Sequence, residues 1–497
     1  MISISININK AYNILIKSYI RIIALFIEYT VIGNTLNCGG MYLMNNKKVR
    51  KNRDEEDGLK NPKYAPRKVN PEDIQLPPGY KIQVFAKDLD TPINLIITED
   101  NDMLLADSGV TSGSGKVLKL TSKGFQVIAE GFNPPLTGIN YYNGNIYVSH
   151  RGSITIIKPD GTKQDIISGL PSFGDHHNNQ VIFGADGKMY FGQGTATNSG
   201  VVGLDNAGWV KKYPYFHDYP GSTIVLTGEN YVTKNFLKPY EKKLAYTGAY
   251  SPFGVPTVPG EHVKGIIPAN GSILRANPDG SNLQLVAWGL RNPFRIKFDH
   301  NNRLFCANHG ADVRGSRPLD KCPDEFQLIM PGMWYGWPDY SGGLPVTLPM
   351  FKPEGMSQPK FLLAYHPMIP PKPFANFPNH SATMGFTFNY NKDFGDFGDA
   401  YIAEFGSNAP ETTGGKPLPK VGHRVSQIHM NTGKISTFAI NKSGYAASYT
   451  GGGGFERPID VVFDKDGAMY VVDFALSSPN ESNKFAPNTG VIWKITK

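Results

Sequence analysis

The chain has 497 residues, of which 54 are glycine and 38 proline, with 12% aromatic and only 19% charged residues. This composition is typical of an all-β protein with many tight turns and disfavours a helical bundle. The net charge is +8, but residues 1–70 carry 12 Lys and Arg against 5 Asp and Glu, so the rest of the chain is nearly neutral. Because nucleic-acid binding needs cations clustered on one face, we expect no nucleic-acid partner.

Residues 1–70 are predicted to form a targeting or anchor-like segment followed by a charged linker. Positions 11–36 are apolar but contain three charged residues, which are costly in a membrane-spanning helix. Cys38 lies in a weak lipoprotein-type context, and a translation start at Met41 or Met44 is an alternative. We expect an exported protein, periplasmic or membrane-anchored, and attachment to a membrane through this segment stays open.

From residue 79 onward one pattern recurs: a loop ending near a proline, an apolar strand, a turn and a second strand. Its first halves lie at 91–107, 135–150, 176–194, 291–310, 380–406 and 457–474. Further strand pairs lie between them, and DEFQLIMPGMWYGWP fits the fifth unit less well. Four strands per unit, at a spacing of about 40–45 residues, are the signature of a β-propeller. Residues 71–497 are therefore predicted to form an all-β, six-bladed propeller.

The sixth unit is split between the two ends of the chain. GVIWKIT at 490–496 supplies one strand, and YKIQVFAKDL at 80–89 supplies the outer strand. N- and C-terminal strands that close the last blade would leave no open edge. Residues 195–270 and 338–379 are predicted insertions, and long insertions in compact folds are usually binding loops or lids.

The loop before each unit's first strand leads from the outer strand of one blade to the innermost strand of the next. All six such loops should therefore meet at one mouth of the central channel. They comprise residues 90–92, 133–135, 174–179, 290–293, 379–381 and 456–458. Two arginines, two or three histidines and several amides at one mouth predict a site for an anionic planar ligand plus a proton acceptor. The alternative is that these loops are polar only because they are exposed.

Within this ring, His176 is the candidate base and Arg291 the candidate anion-binding residue. Strand alternation should point His177 away from the channel if His176 faces it. The acidic members of the loops are Asp90, Asp175 and Glu456. Several carboxylates are expected at a channel metal of a hydrolase or lactonase propeller, so this ring disfavours that class.

Four segments carry a family resemblance: GDHHNNQVIFGADGKMYFGQGTATNSG, WGLRNPFRIKFD, WYGWPDY and GGGGFERPIDVVFDKDGAMYVVDF. They resemble the glucose/sorbosone dehydrogenase family, the soluble quinoprotein sugar dehydrogenases, and the similarity extends over residues 78–497. The resemblance implies a six-bladed propeller that binds pyrroloquinoline quinone (PQQ) and calcium over one end of the channel.

The resemblance also assigns roles to individual residues. His176 would take the hydroxyl proton of the substrate while a hydride passes to the quinone. The implied cofactor-binding residues are Asp175, Arg291, Asn292, Arg457 and Lys420, with Lys416 as an alternative to Lys420. The main-chain carbonyls of Gly310 and Ala311 would bind the calcium ion.

The chain also departs from the family pattern. The carboxylate that orients the family's catalytic histidine would fall near Gly194 and Thr195, where no acid stands. A second arginine after Arg457 is replaced by Ile459, and a glutamine expected near residues 132–135 has no counterpart.

The favoured function is therefore a PQQ- and calcium-dependent dehydrogenase acting on CH–OH groups of a sugar, aldose or related polyol. It would pass electrons to an external acceptor. The alternative is a non-catalytic β-propeller that binds a carbohydrate or a protein at the same mouth. Cys306 and Cys322 are equally compatible with a disulfide and with two buried thiols.

Overall fold

A computed structural model of the chain describes residues 66–241, 243–407, 420–477 and 484–497. The predicted targeting segment, apart from its last residues, and Lys416 lie outside these ranges. Within the described ranges, no helix has the length and apolar character needed to cross a bilayer.

Six antiparallel four-stranded sheets form the blades of a propeller, which confirms the predicted fold class. Strands are given from the inner to the outer edge. Blade 1 contains Pro92–Ile97, Met103–Asp107, Gly115–Thr121 and Gly124–Phe132; blade 2 contains Leu136–Tyr142, Asn145–His150, Ser153–Ile157 and Lys163–Ser168; blade 3 contains Ile182–Phe183, Met189–Gln193, Ser272–Ala276 and Gln284–Trp288. Blade 4 contains Pro293–Phe298, Leu304–Asn308, Asp324–Ile329 and Ala375–Phe377; blade 5 contains Thr383–Phe388, Ala400–Glu404, Arg424–His429 and Lys434–Asn441; blade 6 contains Pro458–Phe463, Met469–Asp473, Gly490–Thr496 and Lys81–Leu89.

The sixth blade is closed by the two ends of the chain, as predicted. The strand Lys81–Leu89 pairs antiparallel with Gly490–Thr496. The short strand Ile74–Gln75 adds a fifth strand to blade 5 by pairing with Asn441 and Ile440. Arg67 is buried and donates hydrogen bonds to Asp473 and to the carbonyl of Gly454. Residues from Arg67 onward therefore pack on the propeller.

One assignment of the repeat was wrong. The segment that begins with Asp324 forms the third strand of blade 4, where it pairs with Leu304–Asn308, and not part of the fifth unit. The long interval between this strand and Ala375–Phe377 had obscured its place in the repeat.

Two segments interrupt the blades. Between the second and third strands of blade 3 lie the strands Ile224–Val225, Asn230–Lys234, Leu244–Gly248 and His262–Val263, with the short helices Leu204–Asn206, Ala207–Val210 and Pro239–Glu241. Between the third and fourth strands of blade 4 lie Tyr340–Ser341, Leu344–Pro345 and the helix Pro349–Phe351. Two further one-turn helices are Pro71–Asp73 and Ala447–Thr450.

The innermost strands of five blades share a β-bulge one residue after their first residue. The pairing register shifts between Pro92 and Asn94, Leu136 and Gly138, Pro293 and Arg295, Thr383 and Phe386, and Pro458 and Asp460. A bulge re-aims the extra residue, and bulges are common next to active sites. Here, the bulges of blades 1, 4 and 6 are followed by Asn94, Arg295 and Asp460, whose side chains meet in the channel.

Polar contacts close the channel between three residues that follow bulges, Asn94, Arg295 and Asp460, and Gln180, which precedes the first strand of blade 3. Asn94 Nδ2 donates to Asp460 Oδ2 at 2.6 Å, and Gln180 Nε2 donates to Asn94 Oδ1 at 3.0 Å. Arg295 Nη1 donates to Gln180 Oε1 at 2.8 Å, and its Nη2 lies 3.7 Å from Asp460. All four side chains are buried. Apolar clusters between neighbouring blades complete the core.

Cys306 and Cys322 are both buried and both free. The disulfide considered for them is therefore not formed in this structure.

Candidate active site

A cavity of about 520 Å³ opens at one mouth of the channel. The predicted ring of loops contributes four of its six members: Pro135, the 175–179 segment, Arg291 with Asn292, and His380. The first and last loops contribute instead the bulged residues that follow them, Ile93 and Ile459. Four of the six loops that the repeat predicts to converge therefore meet at one cavity.

A second set of loops, missed by the sequence argument, supplies much of the remaining wall. These loops follow the second strands of blades 1, 4, 5 and 6 and provide Ser108, Val110, His309, Gly310, Asp312, Arg314, Phe405, Gly406, Ser407, Phe474 and Phe485. Antiparallel strands alternate in direction, so the loop after the second strand returns to the same mouth as the loop before the first. The alternating direction of the strands could therefore have identified these loops from the sequence.

The floor of the cavity is made by the bulged residues. Ile93, Thr137, Phe294, Met384 and Ile459 all line it, together with Asn179 in the corresponding place of blade 3. Four of these six side chains are apolar. Ile459, where the resemblance implies an arginine, is thus part of an apolar floor.

His176 is fixed by the backbone opposite it. Its Nδ1 lies 2.9 Å from the carbonyl oxygen of Thr195 and 3.2 Å from Thr195 Oγ1, and its own amide donates to the same carbonyl at 3.1 Å. A carbonyl oxygen only accepts, so Nδ1 carries the proton and Nε2 carries the lone pair. Nε2 makes no hydrogen bond to any residue that the structure describes, and His176 lines the cavity.

The absence of an acid at position 194 has a steric cause. A Cβ atom on Gly194 would lie 2.4 Å from His176 Cβ and 2.8 Å from Asn292 Oδ1. A side chain of any kind at this position would displace His176. The carbonyl of Thr195 takes the place of a carboxylate as the acceptor for Nδ1.

Burial and the nearby Arg291, Arg314 and His309 hold the pKa of His176 well below its usual range. A lowered pKa keeps the imidazole neutral at neutral pH, as a proton acceptor requires. His177 borders the cavity too, although strand alternation predicted the opposite. Its Nδ1 lies 2.9 Å from the Ser172 carbonyl, and burial lowers its pKa to about 4.

Arg291 and Asn292 form the wall beside His176. Arg291 donates through Nε to the Asn198 carbonyl at 3.0 Å and through Nη2 to Asn198 Oδ1 at 2.9 Å and Asp312 at 3.1 Å. Asn292 Nδ2 lies 3.0 Å from His309 Nδ1, and His309 Nε2 lies 2.7 Å from the carbonyl of Thr383. Both predicted residues are therefore at the cavity with their orientations fixed.

Arg314, which the sequence argument did not single out, holds three aspartates. Its guanidinium lies 2.6 Å from Asp175, 2.8 Å from Asp205 and 3.4 Å from Asp312. Asp175 also accepts from Trp209 Nε1 at 2.9 Å and Asn206 Nδ2 at 3.1 Å. The insertion within blade 3 is therefore tied to the cavity wall through Asp175 and contributes Asp205 to the lining.

Two further carboxylates complete the site. Asp312 lies 3.1 Å from His380 Nδ1. His380, Arg291 and Arg314 hold the pKa of Asp312 well below its usual range, and Asp312 raises the pKa of His380. Asp324 accepts from the amides of Gly310 at 2.8 Å and Thr383 at 3.1 Å. Burial raises the pKa of Asp324 to about 6.

The expectation about acidic residues was wrong. Neither Asp90 nor Glu456 lines the cavity, whereas Asp205, Asp312 and Asp324 join Asp175 there. The three missed aspartates stand outside the six predicted loops. All four are committed to arginine, histidine or amide partners, so they do not form the open carboxylate cluster expected of a metal-dependent hydrolase.

Three other predicted residues lie away from the cavity lining. Arg457 is buried and donates to the carbonyls of Phe405 and Ser407 at 3.1 and 2.9 Å, so it supports two lining residues from behind. Lys420 Nζ lies 5.0 Å from the centre of the Tyr445 ring. Ala311 is buried in a separate apolar cluster, while its neighbour Gly310 lines the cavity.

Two comparisons with curated proteins overlap this chain only in part. The HIPL1 protein of Arabidopsis thaliana is 29% identical over 214 residues, 41% of this chain and 24% of that protein. Quinoprotein glucose dehydrogenase B of Acinetobacter calcoaceticus is 25% identical over 215 residues, 42% of this chain and 35% of that protein. The chain thus matches about a quarter and a third of the length of these relatives.

Among solved structures, the holo form of the pyranose dehydrogenase PQQ domain from Coprinopsis cinerea is similar to this chain with a TM-score of 0.51 and 13% identity. The match covers 85% of this chain and 97% of that one, and at this identity it supports the fold. The family model described as Glucose / Sorbosone dehydrogenase matches residues 262–386, which include Arg291, Asn292 and Gly310. The resemblance to the glucose/sorbosone dehydrogenase family is thus confirmed.

Proposed function

We propose that this chain is a PQQ- and calcium-dependent oxidoreductase that oxidises a CH–OH group of a sugar or related polyol and passes the electrons to an external acceptor. The observation that carries the proposal is the state of His176. Its proton is held at Nδ1 by the Thr195 carbonyl, and its free Nε2 belongs to a side chain that lines a deep cavity.

The comparisons support the same class. One curated relative is a quinoprotein glucose dehydrogenase, and the family model covers the segment that carries Arg291, Asn292 and Gly310. These residues all stand at the cavity wall.

The cavity is large enough for a planar three-ring cofactor. A volume of about 520 Å³ lies within the usual range for small-molecule sites. The bulged floor offers Ile93, Phe294, Met384 and Ile459 as an apolar base, and the Arg291 guanidinium and the Asn292 amide are polar groups at the rim. Arg291 and Asn292 would hold the quinone oxygens, with Arg314 as a nearby cation.

The charge of the lining favours a metal ion beside an anionic cofactor. Four aspartates line the cavity against two arginines, so a divalent cation would offset an excess of negative charge. Gly310 leaves no room for a side chain, since a Cβ there would lie 2.4 Å from the carbonyl of Pro323. The amide N–H of Gly310 donates to Asp324, and this hydrogen bond holds the peptide group that precedes the Gly310 carbonyl. The carbonyls of Gly310 and Ala311 are oxygen ligands of the kind that calcium prefers.

In the reaction, the bound quinone would supply a two-electron acceptor for the hydride that leaves the substrate carbon. His176 Nε2 accepts the proton from the substrate hydroxyl. The Thr195 carbonyl keeps Nδ1–H oriented and stabilises the imidazolium that results. Arg291 and Asn292 present N–H donors to negative charge that develops at the cavity wall. The apolar floor excludes water beneath the reacting groups.

The test is cofactor uptake by the full-length chain. PQQ and calcium are added, and the absorbance spectrum is recorded before and after a panel of aldoses and polyols. Saturable uptake followed by reduction of the bound cofactor supports the proposal. A chain that binds sugars but neither takes up nor reduces the cofactor would instead be the carbohydrate-binding propeller.

Location is a separate proposal. We propose that the chain acts outside the cytoplasm, since its first 70 residues resemble a targeting or anchor segment followed by a linker. Fractionation of cells that express the full chain tests this, because recovery in the cytosolic fraction would contradict it.

A further inference from the structure

Asp218 lies in the insertion within blade 3 and is 1% exposed. Its Oδ1 accepts from the amide of Ala196 at 2.6 Å, and its Oδ2 accepts from Thr197 Oγ1 at 2.5 Å. A buried carboxylate that accepts short hydrogen bonds from a backbone amide and from the side-chain hydroxyl of the next residue is strongly committed to that segment.

The amide N–H of Ala196 and the carbonyl of Thr195 belong to the same peptide group. Asp218 Oδ1 accepts from the N–H end at 2.6 Å, and the C=O end lies 2.9 Å from His176 Nδ1. Resonance couples the two ends of a peptide group, so an acceptor at the N–H raises electron density on the oxygen. Chains of hydrogen bonds in a low-dielectric interior polarise one another in this way.

We propose that Asp218 is the positioning residue for His176, acting through the Thr195–Ala196 peptide as a carboxylate–peptide–imidazole relay. The role of His176 as base rests on the proposed function, whereas the relay itself is a property of the folded chain. The negative carboxylate strengthens the Thr195 carbonyl as an acceptor and so stabilises the Nδ1–H form and the imidazolium.

The relay accounts for the missing acid near residue 194. Gly194 leaves no room for a side chain against His176, so a direct carboxylate contact from that position is sterically excluded. The insertion brings a carboxylate from 22 residues beyond Ala196 to the far side of the peptide instead. Partners of this kind typically contribute about 10–100-fold to the activity of the histidine they orient.

The relay is tested on the full-length chain without cofactor, by NMR of the ring N–H protons after labelling its 11 histidines with ¹⁵N. The variant His176→Asn identifies the His176 signal by its loss. Spectra are recorded at about pH 9, because burial raises the pKa of Asp218 to about 7 and the carboxylate must be charged.

In Asp218→Asn the carboxylate is replaced by an isosteric neutral acceptor, and the NMR signal of the His176 Nδ1 proton should move upfield. Thr197→Val removes the competing donor from the carboxylate and should move it downfield, which provides a second variant if Asp218→Asn does not fold. The matched control is Asp107→Asn, another buried aspartate that accepts from a backbone amide and a threonine hydroxyl, those of Thr91. It should leave the signal in place.

An unchanged His176 signal in both relay variants, or an equal shift in Asp107→Asn, would overturn the relay. With cofactor and sugar, Asp218→Asn should lower kcat about 10–100-fold with little change in KM. The predicted shifts without any turnover of the wild-type chain would sustain the relay and reject the proposed function. Turnover by the wild-type chain without the predicted shifts would reject the relay and sustain the proposed function.

Discussion

The guanidinium of Arg314 lies 2.6 Å from the carboxylate of Asp175, in the loop that carries His176. The same guanidinium lies 2.8 Å from Asp205 in the insertion within blade 3. Three separate chain segments are therefore joined by one cation at the cavity wall. The three acidic partners, including Asp312, raise the pKa of Arg314 above its usual range, so its charge is retained.

Replacing Arg314 with alanine should destabilise the fold by about 3–5 kcal/mol, because aspartates are left buried without their countercharge. The loss should shrink as the pH falls, because a buried aspartate that has lost its countercharge can be protonated. Thermal unfolding as a function of pH measures both effects. Lys119→Ala, which breaks the half-exposed pair with Asp102, is the control and should cost about 0–1 kcal/mol. Equal losses in the two variants would show that Arg314 is an ordinary surface cation.

Replacing His176 with alanine should lower kcat about 10²–10⁴-fold, the usual range for removal of a general base. Folding should be retained, since the imidazole lines a cavity and makes its hydrogen bonds to one residue. Steady-state turnover with PQQ, calcium and the best aldose measures the loss, and thermal unfolding checks the fold. His177→Ala is the neighbouring control, and a larger loss there would reassign the base.

The repeat and its closure could be predicted because each blade repeats the same turns and apolar strands. The loops before the first strands followed from connectivity alone, and they placed His176, Arg291, Asn292 and His380 correctly at one cavity. Arg314 and Asp205 could not be found that way, since the first follows a second strand and the second lies in an insertion outside the repeat. The bulges were also hidden, because a bulge changes the direction of a side chain without changing the strand pattern.

The pH dependence of stability should report the burial of Asp218. Burial raises its pKa to about 7 in the folded chain, against about 3.9 for an unfolded aspartate. Between these values the folded state binds more protons than the unfolded state, so this group lowers stability as pH rises from about 4 to about 7. Asp218→Asn lacks this effect, and its thermal midpoint should therefore improve relative to wild type over that interval and level off above it. The exposed Asp466→Asn is the control, and a constant difference between wild type and Asp218→Asn would contradict the assignment.

The bulge in blade 5 depends on Gly385. A Cβ at this position would lie 1.9 Å from Asp460 Oδ1 and 2.8 Å from Asp460 Cα, in the polar closure of the channel. Gly385→Ala should therefore destabilise the fold by at least about 1–3 kcal/mol, the usual cost of overpacking. Gly208, in the helix Ala207–Val210, has open space around the same position. Gly208→Ala should be neutral or stabilising by up to about 1 kcal/mol. Denaturant unfolding measures the change in stability of both variants. A loss confined to Gly385→Ala would show that steric crowding, and not the replacement of glycine as such, is the cause.

Calcium should be required for cofactor uptake and not for folding. The lining has more aspartates than arginines, and Arg291 and Arg314 are already paired with carboxylates, so a cofactor bearing several carboxylates meets unfavourable charge until a divalent cation is bound. Chelation should therefore abolish tight binding of PQQ, and added calcium should restore it, while the thermal midpoint without cofactor changes little. Asp324→Asn removes one negative charge beside Gly310 and should weaken the calcium requirement without abolishing uptake. Tight uptake in excess chelator would show that the arginines suffice and that the metal has no part in holding the cofactor.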